Sequence, residues 1–304
     1  MIDGVINVYK ERGYTSHDVV ARLRGILRQK KIGHTGTLDP EAEGVLPVCL
    51  GRATRLCDML TDKRKTYRAV LLLGRETDTQ DVWGAVLREC SLEDYGVDRD
   101  KAQAAILGFV GDYAQIPPMY SALKVNGKKL YELARSGRTV EREPRQVTIY
   151  DIEIEHIKLP RVTMKVCCSK GTYIRTLCHD IGERLGCGGC MEALVRTRVE
   201  RFELKDSLTL EEIEHLNGQG LLGDCIVPIE AMFGDYPEAV VKQEQDGLVH
   251  NGNPLKAEHV RCDIDRVQDM SCLRIYDSGG NFMGIYQWEQ ERRRFAPRKM
   301  FLGG

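Results

Sequence analysis

One stretch constrains the rest of the chain more than any other: Gly33-His34-Thr35-Gly36-Thr37-Leu38-Asp39-Pro40-Glu41-Ala42-Glu43-Gly44-Val45-Leu46-Pro47-Val48-Cys49-Leu50-Gly51. A basic segment with helical spacing precedes it, and an apolar, strand-like segment follows it. Glycines at 33, 36 and 44 tolerate positive φ and let backbone approach closely. Asp39 stands directly before Pro40, which pushes its backbone toward extended conformations. The stretch therefore reads as a stiff, exposed loop presenting one carboxylate beside one imidazole, His34. On composition alone an ordinary turn is the better reading. The residue order is what marks the loop as a site.

Gly-His-Thr-Gly-Thr-Leu-Asp-Pro at 33–40, Gly44-Val45-Leu46-Pro47 and Gly51-Arg52-Ala53-Thr54-Arg55 closely resemble the signature loop of the TruB family of tRNA pseudouridine synthases. Two further motifs follow in family order. Lys65-Thr66-Tyr67-Arg68-Ala69 resembles the segment whose tyrosine stacks on the target uracil, and Gly171-Thr172-Tyr173-Ile174-Arg175-Thr176 resembles the segment whose arginine pairs with the catalytic aspartate. The resemblance implies Asp39, Tyr67 and Arg175 as catalytic residues, and His34, Tyr173, Leu194 and Lys124 as substrate contacts. A guanidinium partner makes physical sense: it holds a carboxylate bidentately and keeps it ionised. The activity implied is isomerisation of the uridine at position 55 (tRNA numbering) in the T-arm of tRNA, after the base is flipped from its stack. Nothing is oxidised and no group is donated, so no cofactor or metal is expected.

The chain has 304 residues, enough for one large domain or two unequal ones. Its 42% hydrophobic and 29% charged residues are ordinary for a globular protein with a real core. No apolar run reaches membrane-span length, and no secretory signal opens the sequence. A cytoplasmic location is expected, with no membrane association. The net charge of -1 means that an RNA partner requires the basic residues to be segregated on one face. Eleven scattered cysteines without an export signal read as reduced thiols. Cys187-Gly188-Gly189-Cys190, near Cys178 and His179, has one C-x-x-C but lacks the second that a zinc finger needs.

Gly4 to Tyr9 reads as an edge or first strand. A helix from about His17 to Gln29 follows, capped by Ser16, with Val19, Val20, Leu23, Ile26 and Leu27 on one face. Its other face carries Arg22, Arg24, Arg28, Lys30 and Lys31, a candidate for phosphate contact. Arg55 to Leu60 and Lys101 to Val110 read as helices, and Ala69 to Leu73 as a strand. Thr77-Asp78-Thr79, Asp81 and Gly84 read as plain loop. Gln115 to Arg138, rich in Lys and Arg, resembles the family's thumb-like insertion, set at about 112–140. Residues 147–157 and 162–168 read as paired strands by their alternation, and a helix follows to near Gly186. Arg196, Arg198 and Arg201 read as local positive charge. A linker around 228–237 leads to a small β-rich unit with a hairpin turn at Asp277-Ser278-Gly279-Gly280-Asn281. That unit resembles a PUA-like RNA-binding module. Arg292-Arg293-Arg294 and Arg298-Lys299 fit a phosphate contact or a charged tail.

The expected fold is α+β: a catalytic domain over 1–233 with a mixed, largely antiparallel central sheet, plus the module over 237–304. The expected partner is tRNA through its T-arm, with a monomer as the working form and no protein partner. A non-catalytic RNA-binding protein and a guide-dependent, dyskerin-like enzyme are the alternatives. Asp39, Tyr67 and Arg175 together argue against the first; the insertion and the lack of long basic tails argue against the second.

Overall fold

The structure is a computed structural model that describes residues 1–61, 63–125, 127–262 and 267–302. Residue 126 of the expected insertion, and residues 263–266 and 303–304 of the expected module, lie outside the described residues.

Strand β1 (Gly4–Lys10) is buried on both faces. Val5 enters one apolar cluster, while Ile6 and Val8 enter another. Helix α1 (Ser16–Ile26) is capped by Thr15 rather than Ser16. The Thr15 side chain accepts from Asp18 N, and the Asp18 carboxylate accepts from Thr15 N at 2.8 Å, a reciprocal capping box. Ser16 is buried in the first turn, where its Oγ accepts from Leu38 N at 3.0 Å. The serine expected to cap the helix instead pins the loop that carries Asp39.

The strands β2 (Ile32–His34) and β3 (Glu43–Leu50) flank that loop. A 3-10 turn at Gly51–Leu56 and α2 (Cys57–Thr61) lead to β4 (Lys65–Leu73). Next come a hairpin of β5 (Arg75–Thr77) and β6 (Val86–Glu89), α3 (Arg99–Leu107) and β7 (Gly111–Gln115). The expected insertion holds a two-stranded hairpin, β8 (Lys124–Val125) with β9 (Lys128–Lys129), and α4 (Leu130–Arg135). Two long strands, β10 (Arg145–Lys158) and β11 (Arg161–Cys168), precede α5 (Ile174–Leu185) and β12 (Gly189–Val199). Then follow β13 (Phe202–Glu203), α6 (Leu210–Gly218) and β14 (Ile226–Val227).

The main sheet has the order β14-β1-β3-β12-β4-β11-β10-β7. Among the described strands of this order, β3 and β12 run parallel and the other pairs are antiparallel. The first strand is therefore interior, with β14 beyond it, rather than an edge. The parallel seam matters most for the site. There Gly44 faces Arg196 at φ +104°, and a Cβ on Gly44 would lie 2.3 Å from the Arg196 carbonyl oxygen. Only glycine fits. On one sheet face, α3 and α5 cover a core that includes Leu71, Ile106, Met164, Val166 and Leu177. Gly182 lets α5 press onto β12, since its Cβ would fall 2.1 Å from Gly189 N.

A second sheet forms the C-terminal unit. Its strands are β15 (Glu238–Val241), β16 (Leu255–Lys256), β17 (Val260–Arg261), β18 (Cys272–Tyr276), β19 (Phe282–Glu289) and β20 (Arg294–Met300), with the short α7 (Asp246–His250) alongside. Their order is β16-β20-β19-β18-β15-β17 around Val241, Ile275, Tyr286, Trp288 and Phe295. The predicted hairpin turn is present, with Asp277 accepting from Gly279 N and Asn281 N. The segment read as a linker is packed rather than loose: Phe233 is buried between Tyr236, Phe282 and Phe301. Arg52 and Arg55, from the signature stretch, donate to the carbonyls of Phe301 and Met300 at 3.0 and 2.7 Å. These two arginines join the sheets.

Candidate active site

The loop between β2 and β3 is anchored on both sides of Asp39. Leu38 and Ala42 turn into the core beside Tyr67 and Ala69. Asp39 between them keeps 43% of its side chain exposed. Lys10, at the end of β1, is fully buried, and its Nζ donates to the carbonyls of Pro40, Tyr14 and Glu11 at 3.1, 2.6 and 3.1 Å. One ammonium thus fastens the aspartate loop to the turn at residues 11–14. Burial pushes the Lys10 pKa down to about 8, against the pull of Asp39 and Glu43.

Arg175 projects from the first turn of α5 with only 5% of its side chain exposed. Its Nε lies 2.9 Å from Asp39 Oδ2. Its two terminal nitrogens donate to the carbonyls of Thr79 at 3.0 Å and Tyr120 at 2.9 Å, and one lies 3.7 Å from Asp81 Oδ2. The guanidinium fork is thus occupied on every side, which fixes the face offered to Asp39. Asp81 accepts from Thr79 Oγ1 at 2.6 Å and from Trp83 N at 3.2 Å. Burial raises its pKa, while Thr79 and then Arg175 oppose the rise. The segment read as plain loop therefore forms the back wall of the site. Asp81 is a second carboxylate on the same arginine.

Tyr67 sits on β4 opposite Arg196 of β12. It is 7% exposed, and burial pushes its phenol up to about 12, with Arg196 beside it opposing. Arg196, read as local positive charge, is 1% exposed. Its Nε donates to the Val45 carbonyl at 2.7 Å and one terminal nitrogen to that of Gly36 at 3.3 Å. Burial lowers its pKa, and the neighbouring phenol counteracts this. The signal lay in the strand alternation, since Leu194, also buried, and Arg196 share one face of β12. By contrast, Arg198 keeps 55% of its side chain exposed.

Of the other expected contacts, Leu194 is buried on β12 opposite Ala69. Tyr173 caps α5, where its backbone exchanges two hydrogen bonds with the Gln115 side chain at 2.8 and 3.0 Å. His34 accepts from Gly36 N at 3.4 Å and meets His17 edge to face at 5.2 Å. Burial lowers its pKa, which favours the neutral ring. Lys124 stands exposed on the β8–β9 hairpin and takes no part in the Asp39 network. Tyr120, a few residues earlier, is the insertion's contact with Arg175. Cys178, Cys187 and Cys190 are buried thiols, and among the described residues no cluster of three or more His, Cys, Asp or Glu could hold a metal. No helix is long and apolar enough to cross a membrane.

A half-exposed carboxylate paired with a buried guanidinium, with a buried phenol on β4, makes up the centre of the site on an α+β sheet. The family model described as TruB family pseudouridylate synthase (N terminal domain) matches residues 24–174, and that described as tRNA pseudouridylate synthase B C-terminal domain matches residues 175–234. A relative from Lachnoclostridium phytofermentans, named tRNA pseudouridine synthase B, is 50% identical over 99% of this chain and 100% of its own length. Another of that name, from Alkaliphilus oremlandii, is 48% identical over 88% of this chain and 87% of its own. Among solved structures, a chain of a Cbf5-Nop10-Gar1 complex is similar at TM-score 0.72 and 28% identity, covering 98% of this chain and 85% of that one. A chain of an H/ACA RNP bound to a substrate RNA gives TM-score 0.71 and 26% identity, covering 99% and 85%. The chain belongs to the TruB family of pseudouridylate synthases and is an RNA pseudouridine synthase, an isomerase.

Proposed function

We propose that this chain converts one uridine of the tRNA T-arm, position 55 in tRNA numbering, to pseudouridine, acting alone and without a cofactor. The observation that carries this reading is the Asp39–Arg175 pair. Among the described carboxylates of the network, Asp39 is the one that stays half exposed, and Arg175, bonded to two carbonyls besides, orients it. Asp39 is the essential carboxylate, Arg175 positions it, and Tyr67 packs as a neutral phenol against the flipped uracil with Leu194. His34, Tyr173 and Lys124 contact the RNA around the target. In the reaction the N1–C1′ bond breaks, the base turns, and the C5–C1′ bond forms. The C5 proton leaves and N1 ends protonated, so atoms balance within the nucleotide.

Residues 1–233 act as the catalytic domain, and 237–304 as a PUA-like unit that holds RNA, as a monomer in the cytoplasm. The exposed cations of α1 and the following turn, Arg22, Arg28, Lys30 and Lys31, support phosphate contact beside the loop. The stand-alone reading is supported by the 50% identity to a relative named tRNA pseudouridine synthase B, against 28% to the Cbf5 chain. The test is pseudouridine mapping in an unmodified tRNA transcript with wild-type protein and Asp39→Asn. Product at one T-arm uridine, absent with the variant despite retained binding, is expected. No product without added guide RNA and partner proteins would overturn the stand-alone reading.

A further inference from the structure

Trp83, at the tip of the β5–β6 hairpin, keeps 40% of its surface exposed. The Arg12 guanidinium lies over its ring, 5.1 Å from the centroid. Arg12 is in turn tied to Glu41 by an ion pair of 2.7 Å, and Glu41 lies two residues after Asp39. From the other direction, Trp83 N donates to Asp81, the carboxylate that flanks Arg175. The indole is therefore bound by backbone to the wall behind Asp39 and by cation–π contact to the loop that carries Asp39. An exposed indole so fixed loses little freedom when a flat partner lands on it, and a guanidinium against its ring reinforces stacking. The chemistry that suits such a surface at an RNA site is a nucleobase π-face.

We infer that Trp83, steadied by Arg12, is a stacking shelf for a base next to the flipped uridine. The inference rests on the uridine-isomerising reading of this site and extends it to a nucleotide that does not react. Trp83 is a positioning and binding residue, not a catalytic one.

The chain has two tryptophans, and Trp288 is buried in the C-terminal unit. Full-length protein carrying Trp288→Phe thus reports on Trp83 alone. Titration with an unmodified T-arm stem-loop is expected to quench its emission saturably. In the otherwise wild-type chain, Trp83→Ala is expected to raise KM about tenfold and to change kcat by less than threefold, with Trp83→Tyr returning KM to within about threefold. Stem-loops made abasic at one flanking position at a time complete the cycle. One of them is expected to bind wild type about tenfold more weakly and to lose nothing further with Trp83→Ala. Product formation with unchanged emission would overturn the shelf while leaving the isomerase reading intact. So would abasic losses that add in full to Trp83→Ala, or a kcat loss as large as the KM change, which would mean that Trp83 only supports Asp81. If no RNA yields pseudouridine, the isomerase reading fails, and emission alone then decides: quenching by RNA upholds stacking and its absence refutes it.

Discussion

The site is held by two buried arginines that could hardly differ more in their company. On the α5 side, Arg175 faces two carboxylates and two carbonyls. On the β12 side, Arg196 faces two carbonyls and a phenol, with no carboxylate bonded to it among the described residues. A buried cation needs compensation, and an anion supplies more of it than neutral oxygens do. Arg175 is therefore organised around a charge that must stay available at the surface. Arg196 is organised around the backbone at the parallel seam, where Gly44 leaves room for its main chain. One arginine orients chemistry and the other holds architecture.

If this division is right, the two sides should fail in different ways. The largest effect is expected at Asp39: Asp39→Asn should lower the rate of pseudouridine formation by roughly 10⁴-fold or more, with RNA affinity retained in a binding assay. Loss of binding in parallel would mean that Asp39 was structural. Arg175→Lys comes next. A single ammonium cannot reach Asp39 and two carbonyls in the same geometry. A fall of about 10²–10³-fold in kcat is expected, with a melting temperature that falls less than in Arg196→Ala because the ammonium keeps a charge beside Asp39 and Asp81. Arg196→Ala should show the reverse emphasis. It leaves the Val45 and Gly36 carbonyls without their donor, costing about 2–4 kcal/mol of stability. Thermal melts should fall by roughly 5–10 °C. A stable Arg196→Ala protein that was catalytically dead would break the comparison.

Lys10 sharpens it by pH. Its folded pKa of about 8 lies below the unfolded 10.5. Between those values the unfolded chain binds more protons, so this group's contribution to stability rises with pH and levels off above about 10.5. Below pH 8 the lysine is charged in both states and its contribution does not change with pH. Denaturant titrations from pH 7 to 10.5 should show the difference between wild type and Lys10→Met moving in favour of wild type, by at most roughly 1.4 kcal/mol per pH unit. A flat difference would mean that Lys10 stays charged on its three carbonyls throughout. The smallest effect is expected on the exposed face: Lys30→Gln with Lys31→Gln should weaken RNA binding a few-fold and reduce the salt slope by about 2.

Some of this could be read from residue order alone. The pairing of Asp39 with Arg175 and the alternating strands β10 and β11 were legible, because each depends on local spacing or on a contiguous motif. The Asp277 hairpin turn was legible for the same reason. Asp81 looked like turn chemistry because its partner, Arg175, is far along the chain and meets it only when α5 packs under the β5–β6 hairpin. Arg196 looked like one of three surface arginines. Its parity with buried Leu194 was a clue, but Arg198 shares that parity and is exposed; the register shift between Arg196 and Arg198 that separates them appears only when β12 pairs with β4. Ser16 and Thr15 exchanged roles because both satisfy a cap pattern. Asp18, three residues after Thr15, closes the box, and the Leu38 amide claims Ser16.

By itself, the sequence determined that this protein presents one aspartate from a proline-stiffened loop, at the head of an apolar strand, with an arginine available at a later helix start. Those are short-range facts of backbone restriction and residue order. The tertiary structure decided which charges are buried and what they touch: Lys10 on the Pro40 carbonyl, Arg196 under Tyr67, Arg175 between two aspartates, and Trp83 against Arg12. The physical reason is that burial is a property of the folded neighbourhood. A lysine or arginine carries the same formal charge wherever it stands, and only packing removes its water and names its partners.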